Sequence, residues 1–277
     1  MLRLGHITYS NCFPVHAGVL DRGAPDWLRI VEGVPSHLNR LLEAGEIDVA
    51  PCSSIEFARN AERYRVLPEL VIGARGPVRS ILFLSTADPR ALDGRVVAMP
   101  TASATSVVLL KVLLRLRWGV RARFRWFDQA TEDPFAAGAD AALFIGDVAL
   151  RAGLHPAVPH RFDLGEAWRE HTGLPFAFAV WQAAGGSDGQ LRRLHALLLE
   201  SRAYGLRHRE ALAERWAARF GFAPDFLARY WAELSYELDG PMREGLAAFY
   251  RMAAEIGEIP RAPSIRFLDT DAAFAAD

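Results

Sequence analysis

Two turns of this chain are crowded with hydroxyl groups, one at Ser53-Ser54 and one at Thr101, Ser103, Thr105 and Ser106. Each follows a short apolar run, residues 47–50 ended by Pro51 in the first case and residues 96–99 in the second. Each then leads into a stretch of helical spacing. A strand that stops at small hydroxyl residues and restarts as a helix gathers free backbone N–H groups, hydroxyl donors and the positive end of a helix dipole. That is chemistry for holding an anion, either a carboxylate or a phosphate. Ser53-Ser54 also meets the needs of a plain N-cap pair, and both readings stay open there. Four hydroxyls in the six residues 101–106 exceed what one cap requires, which favours binding. This is no P-loop, because the glycine pair and the Lys-Ser/Thr pair are missing. The plan of residues 44–58 recurs at 137–150, where an apolar strand breaks at Gly146-Asp147. Asp147 there is an N-cap or a ligand-facing group. Asn11 lies in the polar break Ser10-Asn11-Cys12 before Pro14. It is either a helix cap, which the local sequence favours, or a ligand-facing group at the C-terminal end of the first strand.

The elements that must position these groups alternate between the two periodicities. Short β-prone runs fall at 2–9, 28–31, 47–50, 67–72, 81–84, 96–99, 121–127, 139–145 and 177–181, with polar or Gly/Pro-marked turns between them. The arginines at 121, 123 and 125 mark a solvated edge strand. Ser36 is a candidate cap for a helix over 37–44, and 107–118 is an apolar helix. Residues 155–168 read as loop. From residue 188 onward the apolar spacing is helical, over 191–207, 210–220, 224–234 and 241–256, and its aromatics suit a core. The tail after Pro260 reads as extended and partly frayed. Two crossovers, near 73–85 and 177–181, imply an α/β protein of two lobes. The expected lobes are 1–85 with 182–277, and 86–181. Mixed sheets flanked by helices, a helical C-terminal region and a ligand cleft between the lobes complete the expectation.

Composition sets outer limits. The 277 residues are 51% apolar and 23% charged, with a net charge of −1, which gives no reason to expect nucleic acid or an anionic membrane as partner. Lys111 is the only lysine among the basic residues. Two cysteines, Cys12 and Cys52, are too few and too badly spaced for a disulfide framework or a zinc site. No secretory signal is visible at the N-terminus and no apolar run approaches a membrane span, so a cytoplasmic protein with reduced thiols is expected. Monomer and homodimer both stay open.

The residues then match a known pattern. GHITYSNCFP (5–14), LLEAGEIDVAPCSSIEFA (41–58), GPVRSILFLS (76–85), TASATSVVLL (101–110), LFIGDVAL (143–150) and TGLPFAFAVW (172–181) occur in order over the first two thirds of the chain. This set resembles the chorismate dehydratase family of the futalosine route to menaquinone, which has a periplasmic-binding-protein type II fold. Cys52 departs from the family pattern, where an aliphatic residue is expected. The resemblance implies a lyase that removes water from chorismate to give 3-[(1-carboxyvinyl)oxy]benzoate, with no metal or redox cofactor, since aromatisation drives the reaction. Carried over onto these positions, Asn11 would bond the reacting groups and Ser80 would position a carboxylate. Ser53, Ser54, Ser103, Thr105 and Ser106 would hold the two carboxylates of the substrate, and Gly146 and Asp147 would line the pocket. The cleft motifs carry no clear His or Glu base, because His6 falls in a strand and Glu56 in a helix. The proton acceptor is then the substrate's own enolpyruvyl carboxylate, with Asp147 in reserve. Alternatives are the sister enzyme that forms 1,4-dihydroxy-6-naphthoate, for which a histidine in the second-lobe motifs is expected and missing, a solute-binding protein for a small carboxylate, and a regulatory effector domain.

Overall fold

The computed structural model describes residues 1–152 and 158–270. β1 (Leu2–Ile7) passes through a 3-10 turn at Ser10–Cys12 into α1 (Phe13–Arg22). β2 (Leu28–Gly33), α2 (Pro35–Glu43), β3 (Val49–Ser53), α3 (Ser54–Arg59) and the long β4 (Arg65–Ala74) follow. Next come β5 (Ile81–Ser85), β6 (Val96–Pro100) and α4 (Thr105–Val112), which runs on as a π-helical turn at Leu113–Arg117. β7 (Arg123–Phe127), β8 (Ala141–Ile145), α5 (Gly146–Ala152), β9 (His160–Asp163), α6 (Leu164–Thr172) and β10 (Phe176–Ala183) precede four helices. These are α7 (Asp188–Arg207), α8 (Arg209–Phe220), α9 (Pro224–Glu233) and α10 (Gly240–Glu255).

The chain divides into two compact units. Unit 1 takes Met1–Ile72, Ala179–Asp239 and the chain from Pro263; unit 2 takes Gly73–Phe178 and Gly240–Ala262. Each is α/β with one mixed five-stranded sheet, ordered β2-β1-β3-β10-β4 and β7-β6-β8-β5-β9. In the first, β1 runs parallel to β2 and β3, and β10 is antiparallel to β3. In the second, β6 runs parallel to β7 and β8, while β5 is antiparallel to β8 and β9. β8 and β10 are buried at every position, in keeping with apolar sequences that only Gln182 on β10 interrupts. β7 is the edge that its arginines marked, and it exposes Phe124 and Trp126 at 42% and 57%.

Several boundaries differ from the sequence reading. β5, expected with the first lobe, pairs with β8 and β9 and so belongs to unit 2. α10 also belongs to unit 2, because Phe249 packs edge-on against Phe176 and Trp168 at 4.9 and 6.3 Å between ring centres. The stretch read as loop holds β9 and α6, started by Asp163, whose carboxylate accepts from the Gly165 and Glu166 amides. The expected loop residues His155 and Pro156 lie outside the described residues. Pro51 does not end its strand, which runs on to Ser53. Ser36 does not cap α2; Val34 stands at the N-cap and Pro35 supplies the preset first turn. The tail is extended where Phe267 bridges Val66, and its last residues, 271–277, lie outside the described residues.

Within unit 1, α1 is seated on α7 through small residues. A side chain at Gly205 would meet the Pro14 carbonyl oxygen at 2.1 Å. Four residues earlier, Ser201 Oγ accepts from the Gly18 and Val19 amides at 2.9 and 3.3 Å. Backbone-to-backbone contact of this closeness fixes the N-terminal end of α1, and with it the turn that carries Asn11.

Candidate functional site

β1 and β3 are parallel neighbours, so the segments that follow them leave the sheet of unit 1 at the same end. Topology thereby brings Asn11, after β1, to the edge where Ser53 closes β3 and Ser54 opens α3. Asn11 is not a cap, contrary to the local reading. Cys12 holds the N-cap of α1 without a side-chain bond, and Asn11 Oδ1 is buried with no hydrogen-bond partner. Ser53 stands at the N-cap of α3, yet its side chain makes no capping bond either, and its amide donates to Asn39 Oδ1 at 3.3 Å. Gln182 on β10 is fully buried and its Nε2 donates to the Cys52 and Ser53 carbonyls at 3.3 and 3.0 Å. Its own Oε1 is left unpartnered. Cys52 is fully buried, so the departure from an aliphatic residue stays inside the core, where burial pushes its thiol up. The Trp231 indole donates to the Ser10 carbonyl at 2.8 Å and stacks on Phe13 at 5.2 Å, which clamps the turn bearing Asn11 from the other side.

Beneath this edge lies a buried chain of rings. The Trp181 indole N–H donates to His16 Nε2 at 3.0 Å, and His16 Nδ1 lies 2.8 Å from His6 Nδ1. Because Trp181 is only a donor, His16 must be neutral with its proton on Nδ1, which it gives to an unprotonated His6 Nδ1. Burial lowers His6 to a pKa of about 4 and holds His16 well below the ordinary histidine range. His6 is therefore no free base. Cys12 Sγ lies within 4.8 Å of the ligating nitrogens of both histidines. A metal on His16 Nδ1 would need a proton on Nε2, facing the Trp181 donor, so the set as bonded suits a hydrogen-bonded chain rather than an ion. Glu56 is likewise engaged, with Arg59 at 2.8 Å.

In unit 2, β6 and β8 are parallel and β5 is antiparallel to β8. The end of β6, the end of β8 and the start of β5 thus share one sheet edge. That edge collects Thr105 and Ser106 at the head of α4, Gly146 and Asp147 at the head of α5, and Ser80 just before β5. The Gly146 amide donates to the Ser80 carbonyl at 2.7 Å, which joins two of these turns directly. Ser80, Thr105 and Ser106 are buried, and Asp147 is half-buried. Ser103 acts locally: its Oγ accepts from the Ser106 amide at 3.3 Å and donates to Ser106 Oγ at 3.1 Å.

Two further side chains hold this edge, and the sequence reading missed both. Gln129 mimics a strand residue at the end of β8, accepting from the Ile145 amide at 2.9 Å and donating to its carbonyl at 3.2 Å. Asp163 reaches across from β9 to the Val78 and Arg79 amides. A polar residue next to a helix start, as in Asp163-Leu164-Gly165-Glu166, was a readable cap signal; its second set of partners was not. Each edge offers hydrogen bonding: in unit 1, two unpartnered amide oxygens beside the hydroxyl residues Ser53 and Ser54, and in unit 2, hydroxyls and helix-head amides.

The model of a family described as menaquinone biosynthesis matches residues 2–255. The chorismate dehydratase of Thermus thermophilus is 35% identical over 276 residues, covering 94% of this chain and 96% of that protein. Among solved structures, a protein of Archaeoglobus fulgidus aligns with a TM-score of 0.77 at 18% identity, covering 93% of this chain and 98% of its own. The periplasmic aliphatic sulphonate binding protein of Escherichia coli aligns at 0.64 and 16% identity, covering 97% and 93%. The second establishes the periplasmic-binding-protein type of fold. Matched along nearly its whole length by both the family model and a curated enzyme, the chain belongs to the menaquinone biosynthesis family that includes chorismate dehydratase.

Proposed function

We propose that this chain is a chorismate dehydratase, a hydro-lyase working in the cytoplasm. The observation that carries the reading is the relationship to a curated chorismate dehydratase over 94% of the chain. Chorismate loses the proton at C3 and the hydroxyl at C4; the C3–H pair becomes the new ring double bond, the C4–O bond breaks, and the departing hydroxide takes up the proton released from C3, by way of the group that first accepted it, to leave as water. The product ring is aromatic, which supplies the driving force.

The roles follow from what each residue can offer. The unpaired, buried Oδ1 of Asn11 is an acceptor awaiting a donor, and an orphaned buried acceptor of this kind costs roughly 1–3 kcal/mol until it is met. A substrate hydroxyl supplies that donor, so Asn11 orients the C4 hydroxyl for departure. Ser80 positions a carboxylate. Thr105 and Ser106, at the positive end of α4, hold one carboxylate, and Ser53 and Ser54 hold the other. Ser103 serves by orienting Ser106. Gly146 and Asp147 line the site. With His6 locked to His16 and Glu56 to Arg59, the C3 proton is assigned to the substrate's own enolpyruvyl carboxylate, Asp147 standing in reserve as acceptor, and the protein supplies orientation and placed hydrogen bonds.

The test is incubation of the purified protein with chorismate, followed by ultraviolet absorbance and product mass. Loss of one water with the spectrum of a substituted benzoate is expected. Chorismate recovered intact, whether or not it binds, would overturn the assignment.

A further inference from the structure

Ser80 is preceded by a backbone conformation that side chains rarely adopt. Arg79 has φ +65°, and it is one of only two non-glycine residues with positive φ among those described. Such a residue persists only where its surroundings over-determine it. Here the turn is closed on itself by the Ser80 amide, which donates to the Val78 carbonyl at 2.8 Å, and the Gly146 amide takes the Ser80 carbonyl. What faces the other side of the turn is Asp163. Its Oδ2 accepts from the Arg79 amide at 2.6 Å, and its two oxygens lie 2.9 and 3.0 Å from the Val78 amide.

Capping α6 needs only one of those oxygens: Oδ1 accepts from the Gly165 and Glu166 amides at 2.9 and 3.2 Å. Oδ2 is surplus to the cap and is spent on Arg79. The approach is close enough to dictate a second residue, since a side chain on Gly165 would meet the Gly76 carbonyl oxygen at 2.5 Å and the Val78 nitrogen at 3.2 Å. The first turn of α6 and the 76–79 backbone are therefore one rigid piece, with the carboxylate as the joint.

We propose that Asp163 is a positioning residue for Ser80: by holding the Val78 and Arg79 amides it keeps the left-handed turn that sets where the Ser80 side chain stands. This rests on the assignment of Ser80 to chorismate. Asp163→Asn is the sharpest test, because the amide keeps an oxygen for the cap while its NH2 cannot accept from Arg79. Asp163→Ser, which retains a capping hydroxyl, serves as the second variant should the first fail to fold.

With chorismate, Asp163→Asn is expected to lower kcat by about 10- to 100-fold, the size of effect that sub-ångström to ångström misplacement produces, with KM within about 3-fold. In a Ser80→Ala background the same substitution is expected to have almost no further effect, since both act through one group. Amide exchange at Arg79 and Ser80 is expected to quicken. The same fold-loss in both backgrounds, or an unchanged kcat, overturns the proposal and leaves Asp163 a helix cap. A wild-type protein inert towards chorismate defeats the functional reading instead; exchange then still decides whether Asp163 holds the turn, and unaltered exchange overturns it.

Discussion

In unit 1 the turn that carries Asn11 is held by rings; in unit 2 the turns that carry Ser80 and Gly146 are held by groups that imitate backbone. Around Asn11 the fixing contacts are the Trp231 indole, the Phe13 ring and the Trp181–His16–His6 chain beneath. Around Ser80 and Gly146 they are the Asp163 carboxylate and the Gln129 carboxamide, each bonded to main-chain groups. The unit 1 edge keeps two acceptors unspent, Asn11 Oδ1 and Gln182 Oε1. The unit 2 edge is a set of hydroxyls and helix-head amides.

The largest effect that would break this division is at Asn11. Asn11→Ala is expected to lower kcat by roughly 10³-fold, in the range for losing one placed hydrogen-bonding group, while calorimetry still detects chorismate binding. If turnover survives, the acceptor role is wrong and the asymmetry between the edges loses its meaning.

Next comes acid, which should strike unit 1 first. His6 falls from 6.5 to about 4 on burial, outweighing the attraction of Glu32, with Arg219 adding to the fall; His16 is lowered by burial and then by His6. The unfolded chain binds these protons at a higher pH than the native one. Stability is therefore full above about pH 6.5 and is lost as pH falls towards 4, by about 3 kcal/mol for His6. Asp163 runs the other way: burial raises its carboxyl above 3.8 despite four amide bonds, so its charge is a cost that falling pH relieves. Hydrogen exchange at pH 5 against pH 7 should show β1, α1 and β10 deprotected before β9 and α6. Uniform deprotection would mean that the histidine chain is not the weak point.

Gly205→Ala should destabilise by about 1–3 kcal/mol, because α7 must retreat from the Pro14 carbonyl. Denaturant melts measure that, and a loss of kcat alongside would tie the helix contact to Asn11. Trp231→Phe keeps the ring against Phe13 but removes the bond to the Ser10 carbonyl, worth about 1 kcal/mol. Its signature should be a several-fold fall in kcat larger than any change in KM. The smallest effect is on exposed β7, where Trp126→Ser should shift stability by no more than about 0.5 kcal/mol and leave turnover alone.

Much of this was legible in the chain. Alternating short strands, hydroxyl-rich turns and the amphipathic helices after residue 188 specify a two-unit α/β protein, because periodicity and turn chemistry act over a few neighbouring residues. The ordered motifs around Asn11, Ser53, Ser80, Thr105 and Gly146 pointed to the family now shown. What tertiary structure alone decided are the groups that hold those residues still. Trp231 reaches Ser10 across 221 positions, Gln182 reaches Ser53 across 129, and Asp163 reaches Arg79 across 84. Tertiary structure also decided that β5 and α10 join unit 2, and that Asn11 is no cap. A hydrogen bond to a distant main-chain group asks only for a polar atom in the right place, which leaves no local pattern to read; strand pairing and helix docking put it there.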